Sequence, residues 1–328
     1  MRYICTAVVA TLVLAGTSFA ATINVPGDHA TIQGAIDASS HGDVIAIAAG
    51  TYNEHSLNTD GKAITIGSAS GNQDVTIDAQ QGGGVFKFIS GEDDGTVIKD
   101  LVITGGAASV GGGIYCENSN PTISNCKIKG NTATLHGGGI YCNDSNLTLT
   151  GCVIEGNESG NYGGGIDCRS SSPTLTNCVI SDNTAYYGGG GIRCNSYSSP
   201  TLTDCTISGN TANYSGGGIY CSSSNPTISG SQICGNEPEQ LNGTWNSGGG
   251  NDIATSCPVA LPPTGACCVS SGCVANSNDD CTALGGTWLG EGGSCDDCPA
   301  SCMGDTDDNG VVNIEDLLNM MGSWGACP

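Results

Sequence analysis

Basic side chains are scarce in this sequence: eight Lys and Arg stand against 31 Asp and Glu, for a net charge of −23 over 328 residues. So acidic a chain repels phosphate backbones and has no cationic cluster to neutralise them, which excludes nucleic-acid binding. Bulky apolar side chains are also few, with three Phe, three Trp and four Met. Beyond the first 20 residues no apolar run approaches the roughly 18 that a membrane span needs. Charge of either sign is thin, at 12% of residues against roughly 25% in ordinary domains. In its place stand 53 glycines and 20 cysteines. Glycine near one residue in six is too sparse for collagen, and 38% apolar residues is too many for a disordered chain.

The amino terminus reads as a secretory leader. Arg2 follows Met1, Ile4 to Ala15 is apolar, and Ser18 and Ala20 are the small residues of a cleavage site after Ala20. The expectation is a secreted or cell-surface protein in a compartment where disulfides persist.

The body of the chain is a repeat. Gly-Gly-Gly-Ile begins at Gly111, Gly137, Gly163, Gly189 and Gly216, at spacings of 26, 26, 26 and 27 residues. Superposed, the units form columns. One holds Cys116, Cys142, Cys168, Cys194 and Cys221; a second Ile123, Leu149, Leu175, Leu202 and Ile228; a third Cys126, Cys152, Cys178 and Cys205, closed by Ser231. Ile128, Ile154, Ile180, Ile207 and Ile233 form the fourth, and Asn131, Asn157, Asn183, Asn210 and Asn236 the fifth. Within each unit apolar residues alternate with period 2 and no helical period occurs, so the segments are short strands with Gly, Asn, Ser and Pro at the corners. A unit of this kind is one coil of a parallel β-helix, in which each coil buries its apolar face against the next. The asparagine column suits an inward corner, where side-chain amides can bond from rung to rung.

The unit from Gly111 to Ala133, with Pro121-Thr122-Ile123-Ser124-Asn125-Cys126 at its centre, resembles the repeats of exported polymorphic outer-membrane-type and pectin-lyase-like proteins. The resemblance is strong over residues 111–236 and implies a right-handed parallel β-helix, an all-β fold. Upstream, Ala30 to Asp37 followed by Gly42 to Ile47 and Gly50 to Glu54 is similar to the entry of pectinesterase-like chains. That similarity implies a short N-terminal capping helix, with Ile32 and Ile36 on one face, over the first coil.

The cysteine columns carry no histidine and have the wrong spacing for zinc. Leu101 occupies the place of Cys126 one coil earlier, which a core position tolerates and a metal ligand does not. Buried packing or disulfide pairing are the two readings left open.

Chemistry on the solenoid has few candidates. Residues 115, 141, 167, 193 and 220 form an outward column reading Tyr115, Tyr141, Asp167, Arg193, Tyr220, with Arg169 two residues beyond Asp167. Asp167, Arg169 and Arg193 are the catalytic candidates of a lyase-like base and substrate anchor. The plainer reading is an exposed salt bridge worth at most about 1 kcal/mol. The Asp-Phe-Ile motif of pectinesterases is absent. Tyr115, Tyr141 and Tyr220 are candidates for stacking on sugar rings. Hydroxyl rows flank the second column, as in Thr148/Thr150 and Thr174/Thr176, and resemble the Thr-x-Thr face of ice-binding β-helices; exposed threonine is also simply a good strand residue.

After Asn236 the period breaks. The expected organisation is a leader at 1–20, a β-helix at 21–258, a linker at 259–264, a Cys-rich disulfide module at 265–302 and a calcium module at 303–328. In the last, Asp305, Asp307, Asn309, Asn313 and Asp316 with the Val311 carbonyl offer oxygen ligands at the spacing of a calcium loop, and Gly310 supplies the turn. The loop resembles one dockerin or EF-hand repeat, and the resemblance implies Ca2+ and a cohesin-like partner; dockerins carry two repeats and this chain one. The sequence as a whole points to an exported, non-catalytic surface or adhesion-type protein that binds a polysaccharide or cell-surface component. The rivals are a polysaccharide lyase or hydrolase on the same scaffold and an ice-binding face.

Overall fold

A computed structural model describes residues 20–257 and three strands of the tail, Gly265–Val269, Gly272–Asn276 and Thr287–Glu291. The chain divides into two units, 1–257 and 258–328. In the second, the three strands form an antiparallel sheet ordered 272–276, 265–269, 287–291. Most of the leader, the linker and every calcium-loop residue from Asp305 to Asp316 lie outside the described residues.

The first unit is a parallel β-solenoid. One coil runs through Ile140–Asn143, Thr148–Thr150, Val153–Glu155 and Glu158–Ser159. Each strand stacks on its counterparts in neighbouring coils, giving parallel sheets of seven, ten, nine and five strands. By their outward residues we call the first the tyrosine sheet and the second the threonine sheet; the five-stranded one is the short sheet. Register follows the sequence columns: Ile166 pairs with Ile140 and Ile192, Leu175 with Leu149 and Leu202, Ile180 with Ile154 and Ile207. These side chains are at most 1% exposed. Each burial contributes about 1.5–3 kcal/mol, repeated coil after coil.

The solenoid starts before the visible repeat, because Thr22–Val25, Val44–Ile47, Thr65–Ser68 and Val97–Lys99 already stack in the ten-stranded sheet. A seven-residue helix, Ile32–Ala38, buries Ile32, Ala35 and Ile36 against the first two of these strands. Thr31 caps it by accepting from the Gly34 N–H, and the Glu54 carboxylate accepts from the free N–H groups of Ile32 and Gln33. Lys62 donates to the Ile36 and Asp37 carbonyls at the other end. Both helix ends are therefore satisfied by the next coil.

The asparagine column forms a buried ladder. Asn157, Asn183 and Asn210 each donate from Nδ2 both to a main-chain carbonyl of the preceding coil and to the Oδ1 of the next asparagine, at 2.8–2.9 Å. The glycine runs pass close by. A Cβ on Gly190 would lie 2.5 Å from the Thr211 oxygen and 2.6 Å from that of Gly217, both main chain, so neither can yield cheaply. Gly190→Ala is expected to cost several kcal/mol, a loss on the scale of overpacked cores. A chemical-denaturation midpoint equal to wild type would contradict this.

The cysteine columns are core thiols. All nine, from Cys116 to Cys221, are buried and unbridged. Each of Cys126, Cys152, Cys178 and Cys205 donates weakly to a main-chain oxygen of the preceding coil. Burial pushes the Cys126 thiol up to about 12 and the Cys116 thiol well above its ordinary value, which leaves almost no reactive thiolate at neutral pH. Alkylation of the native protein at pH 8 followed by peptide mapping should find these nine unmodified, and all nine labelled after unfolding. Labelling in the native state would contradict the burial. The one described disulfide joins Cys234 to Cys257, just after Asp252–Ala254, and so ties the coil of Cys234 to the last coil stacked on it.

Candidate functional site

The outer face of the tyrosine sheet carries the candidate residues in register: Lys87, Tyr115, Tyr141, Asp167, Arg193 and Tyr220 lie in one row across successive strands. Strand alternation thus places Asp167 and Arg193 side by side outside the solenoid core. It does not leave them in water. Asp167 is 0% exposed and the Arg193 side chain 14%. The expected exposed salt bridge is instead a closed one, and the cause is a lid of rings from elsewhere in the coil.

Those rings come from the residue just before each glycine run. His136 and Tyr162 occupy that position on neighbouring coils and bridge to each other along the solenoid axis. The His136 ring stacks between Tyr141 and Tyr162, at 6.3 and 5.9 Å between centroids. Tyr162 stacks in turn on Tyr187 and Tyr220, at 5.3 and 5.9 Å. At the next coil the position is Gly188, where an added Cβ would come 3.2 Å from the Tyr220 ring. Its extra glycine makes room for that ring. The signal was present in the sequence as two large aromatic residues in a column otherwise filled by Val110, Gly188 and Ser215.

Beneath the lid Arg193 Nη1 donates to Asp167 Oδ2 at 3.0 Å, and the guanidinium lies 4.1 Å from the Tyr162 ring centroid. That cation–π contact and the carboxylate hold the arginine on both sides. His136 Nδ1 is 3.6 Å from the same oxygen, beyond hydrogen-bond distance. Asp167 Oδ1, Arg193 Nε and His136 Nδ1 have no partner. Burial raises the Asp167 carboxyl to about 6 against the pull of Arg193, and burial with the charges of Arg193 and Arg169 lowers His136 to about 4. The pair therefore gains less from attraction than its carboxylate loses in desolvation. A second buried carboxylate is saturated by contrast: Glu92 accepts from the Thr59 and Ser119 hydroxyls and from the Ser90 and Gly61 N–H groups. It is part of the structure.

The other candidates separate. Arg169 is exposed on the parallel outward row. Tyr141 is 7% exposed, whereas Tyr115 and Tyr220 are half-buried. Tyr115 stacks on Tyr141 at 5.8 Å and donates to Glu117. Beyond Tyr115 the lid stops, and a cleft of about 200 Å³ opens beside it, lined by Ser56, Lys87, Ser109 and Val110. The most exposed rings of the ladder are three that sequence columns did not single out: Tyr186, Tyr187 and Tyr214, at 48%, 41% and 64%. The threonine sheet keeps its hydroxyl rows in register and exposed or half-exposed. Among the described residues no group of three His, Cys, Asp or Glu is placed to hold a metal ion, and no helix is long and apolar enough to cross a membrane.

A model of the right handed beta helix region matches residues 63–233 and 112–287, more than half of the sequence. The chain belongs to the right-handed β-helix family. Among solved structures it is similar to pectate lyase Pel9A, with 14% identity and a TM-score of 0.50 over 72% of this chain and 68% of that one. It is also similar to a deglycosylated pectin methylesterase from Aspergillus niger, with 15% identity and a TM-score of 0.48 over 74% and 87%. At such identities the shared property is the β-helix fold. No curated protein matches the chain.

Proposed function

We propose that this right-handed β-helix protein is an exported, non-catalytic surface or adhesion-type protein that binds a polysaccharide along the outer side of its tyrosine sheet. The observation that carries the reading is the closed Asp167–Arg193 pair beneath a continuous aromatic ladder. A general base must come within hydrogen-bond reach of the proton it abstracts. Asp167 is shut off from solvent, and Arg193 is held by Asp167 and Tyr162, so neither group is offered to a substrate. Rings are offered, and an aromatic face with a polar rim suits the mixed apolar and hydroxyl surface of sugars. The fold likeness to a pectate lyase and a pectin methylesterase is compatible with a carbohydrate partner. Co-sedimentation of the purified protein with insoluble cell-wall polysaccharides tests it: retention is expected, and absence from every pellet would refute it.

The calcium module belongs to the same reading. Asp305, Asp307, Asn309, Asn313, Asp316 and the Val311 carbonyl would hold one Ca2+ by oxygen ligation, fixing the tail that attaches the solenoid to a cohesin-like or other surface partner. The support is the spacing of these residues. Isothermal calorimetry with Ca2+ should show one binding event, lost in Asp305→Ala; no heat with the full-length protein would remove the module.

A further inference from the structure

Tyr186, Tyr187 and Tyr214 form an exposed terrace at the rim of the short sheet. Tyr187 and Tyr214 lie tilted at 33° with centroids 5.6 Å apart, Tyr186 stands edge-on to Tyr187 at 4.9 Å, and Tyr186 and Tyr214 are 5.9 Å apart. The rings sit on fixed backbone. The Tyr186 and Tyr187 N–H groups donate to the Ser159 and Asn161 carbonyls, the Ser215 N–H donates to that of Tyr187, and Thr184–Ala185 pairs with Thr211–Ala212. Tyr187 also stacks on Tyr162, which anchors the terrace to the ladder over Asp167. Three large rings so exposed yet so ordered have already met the ordering cost that weakens most binding surfaces.

Charge selects the ligand. The terrace residues are neutral, and residues 20–257 of the unit that carries them hold 21 Asp and Glu against seven Lys and Arg. The nearest cation of the ladder, Arg193, is occupied by Asp167. Elsewhere Lys127 is paired with Glu155 and Lys62 is bonded to the end of the helix. A polyanionic glycan would meet net repulsion, offset on the outer tyrosine sheet by just two exposed cations, Arg169 and Lys87. We infer that the terrace binds an uncharged polysaccharide, its pyranose rings stacking on Tyr187 and Tyr214 with Tyr186 as a side wall. This rests on the polysaccharide reading above and narrows it to a neutral glycan at three named residues.

Affinity electrophoresis in native gels tests it, with galactomannan and xyloglucan as neutral probes and polygalacturonate and alginate as acidic ones. The expected result is retardation by at least one neutral glycan and by neither acidic one. Tyr214→Ser, at the most exposed ring, should weaken that retardation about tenfold with an unchanged thermal melt. The combined Tyr186→Ala, Tyr187→Ala, Tyr214→Ala variant should abolish it. Retardation by acidic glycans alone, or neutral retardation undiminished in both variants, overturns the terrace and leaves the polysaccharide reading standing. Retardation by no glycan overturns both. Self-association of the free protein that disappears in the triple variant would assign the terrace to a second copy and also overturn the inference.

Discussion

Asn183→Ala is expected to lower stability by about 3–5 kcal/mol, although it removes one small polar side chain. Asn183 accepts at Oδ1 from both the backbone N–H and the side-chain amide of Asn157, and donates from Nδ2 to the Ile154 carbonyl and to Asn210 Oδ1. Alanine leaves the Asn157 N–H without its acceptor and the Ile154 carbonyl without this donor, at a position closed to bulk solvent. Each orphaned group costs about 1–3 kcal/mol, and the cavity adds to it. Leucine would fill the space yet satisfy nothing, so Asn183→Leu should be no better. Thr174→Ala, on the exposed threonine row, is the control and should fall within about 0.5 kcal/mol of wild type. Urea midpoints separate these outcomes; equal midpoints for Asn183→Ala and Thr174→Ala would mean that the ladder is dispensable.

Arg193→Met should be as damaging at pH 7 and markedly less so at pH 5. Removing the cation strands a carboxylate that is 0% exposed, a change worth about 3–5 kcal/mol. The pH dependence follows from the direction of each shift. Asp167 is raised to about 6 by burial, so the folded state holds a proton that the unfolded chain gives up above its ordinary carboxylate pKa. Stability from this group grows as pH falls through about 6 and is lost as pH rises through it. His136 is lowered to about 4, so its contribution is full above the ordinary histidine value and is lost as pH falls toward 4. In the wild type the two trends offset one another between about 4 and 6. Arg193 both holds the Asp167 carboxyl down and depresses His136, so without it the aspartate's uptake of a proton at pH 5 relieves the stranded charge. Asp167→Leu combined with Arg193→Met should recover most of the loss at both pH values. A variant equally destabilised at pH 5 and pH 7 would contradict a buried, ionisable Asp167 as the cause.

What could be read from the sequence was whatever repeats. Columns 26 residues apart must stack, so the register of Ile140 on Ile166, the asparagine ladder and the core position shared by Leu101 and Cys126 all followed from spacing. Asp167 and Arg193 were legible as neighbours for the same reason. Their burial was not, because period-2 alternation reports which side of a strand a residue faces and says nothing about what lies over that side. The cover comes from His136 and Tyr162, which break their own column, and irregular residues are what a repeat analysis averages away. Cys234–Cys257 was hidden for a related cause: its second half falls after Asn236, where the period ends and no column predicts a neighbour. Tyr187 and Tyr214 share a column, four residues after Asn183 and Asn210, but Leu135 and Asn161 fill it on the preceding coils, so it carried no aromatic pattern.

A closed Asp167–Arg193 pair can take no part in turnover, so the proposed tyrosine face should bind without chemistry. The most direct test is product formation by the purified protein on pectin, polygalacturonate, alginate and neutral glycans, read both as unsaturated ends and as new reducing ends. Binding to a polysaccharide with neither product is expected, unchanged by Arg169→Ala. Turnover that is lost in Arg193→Lys, with the fold intact by its melting transition, would show that the pair opens to substrate and would contradict it.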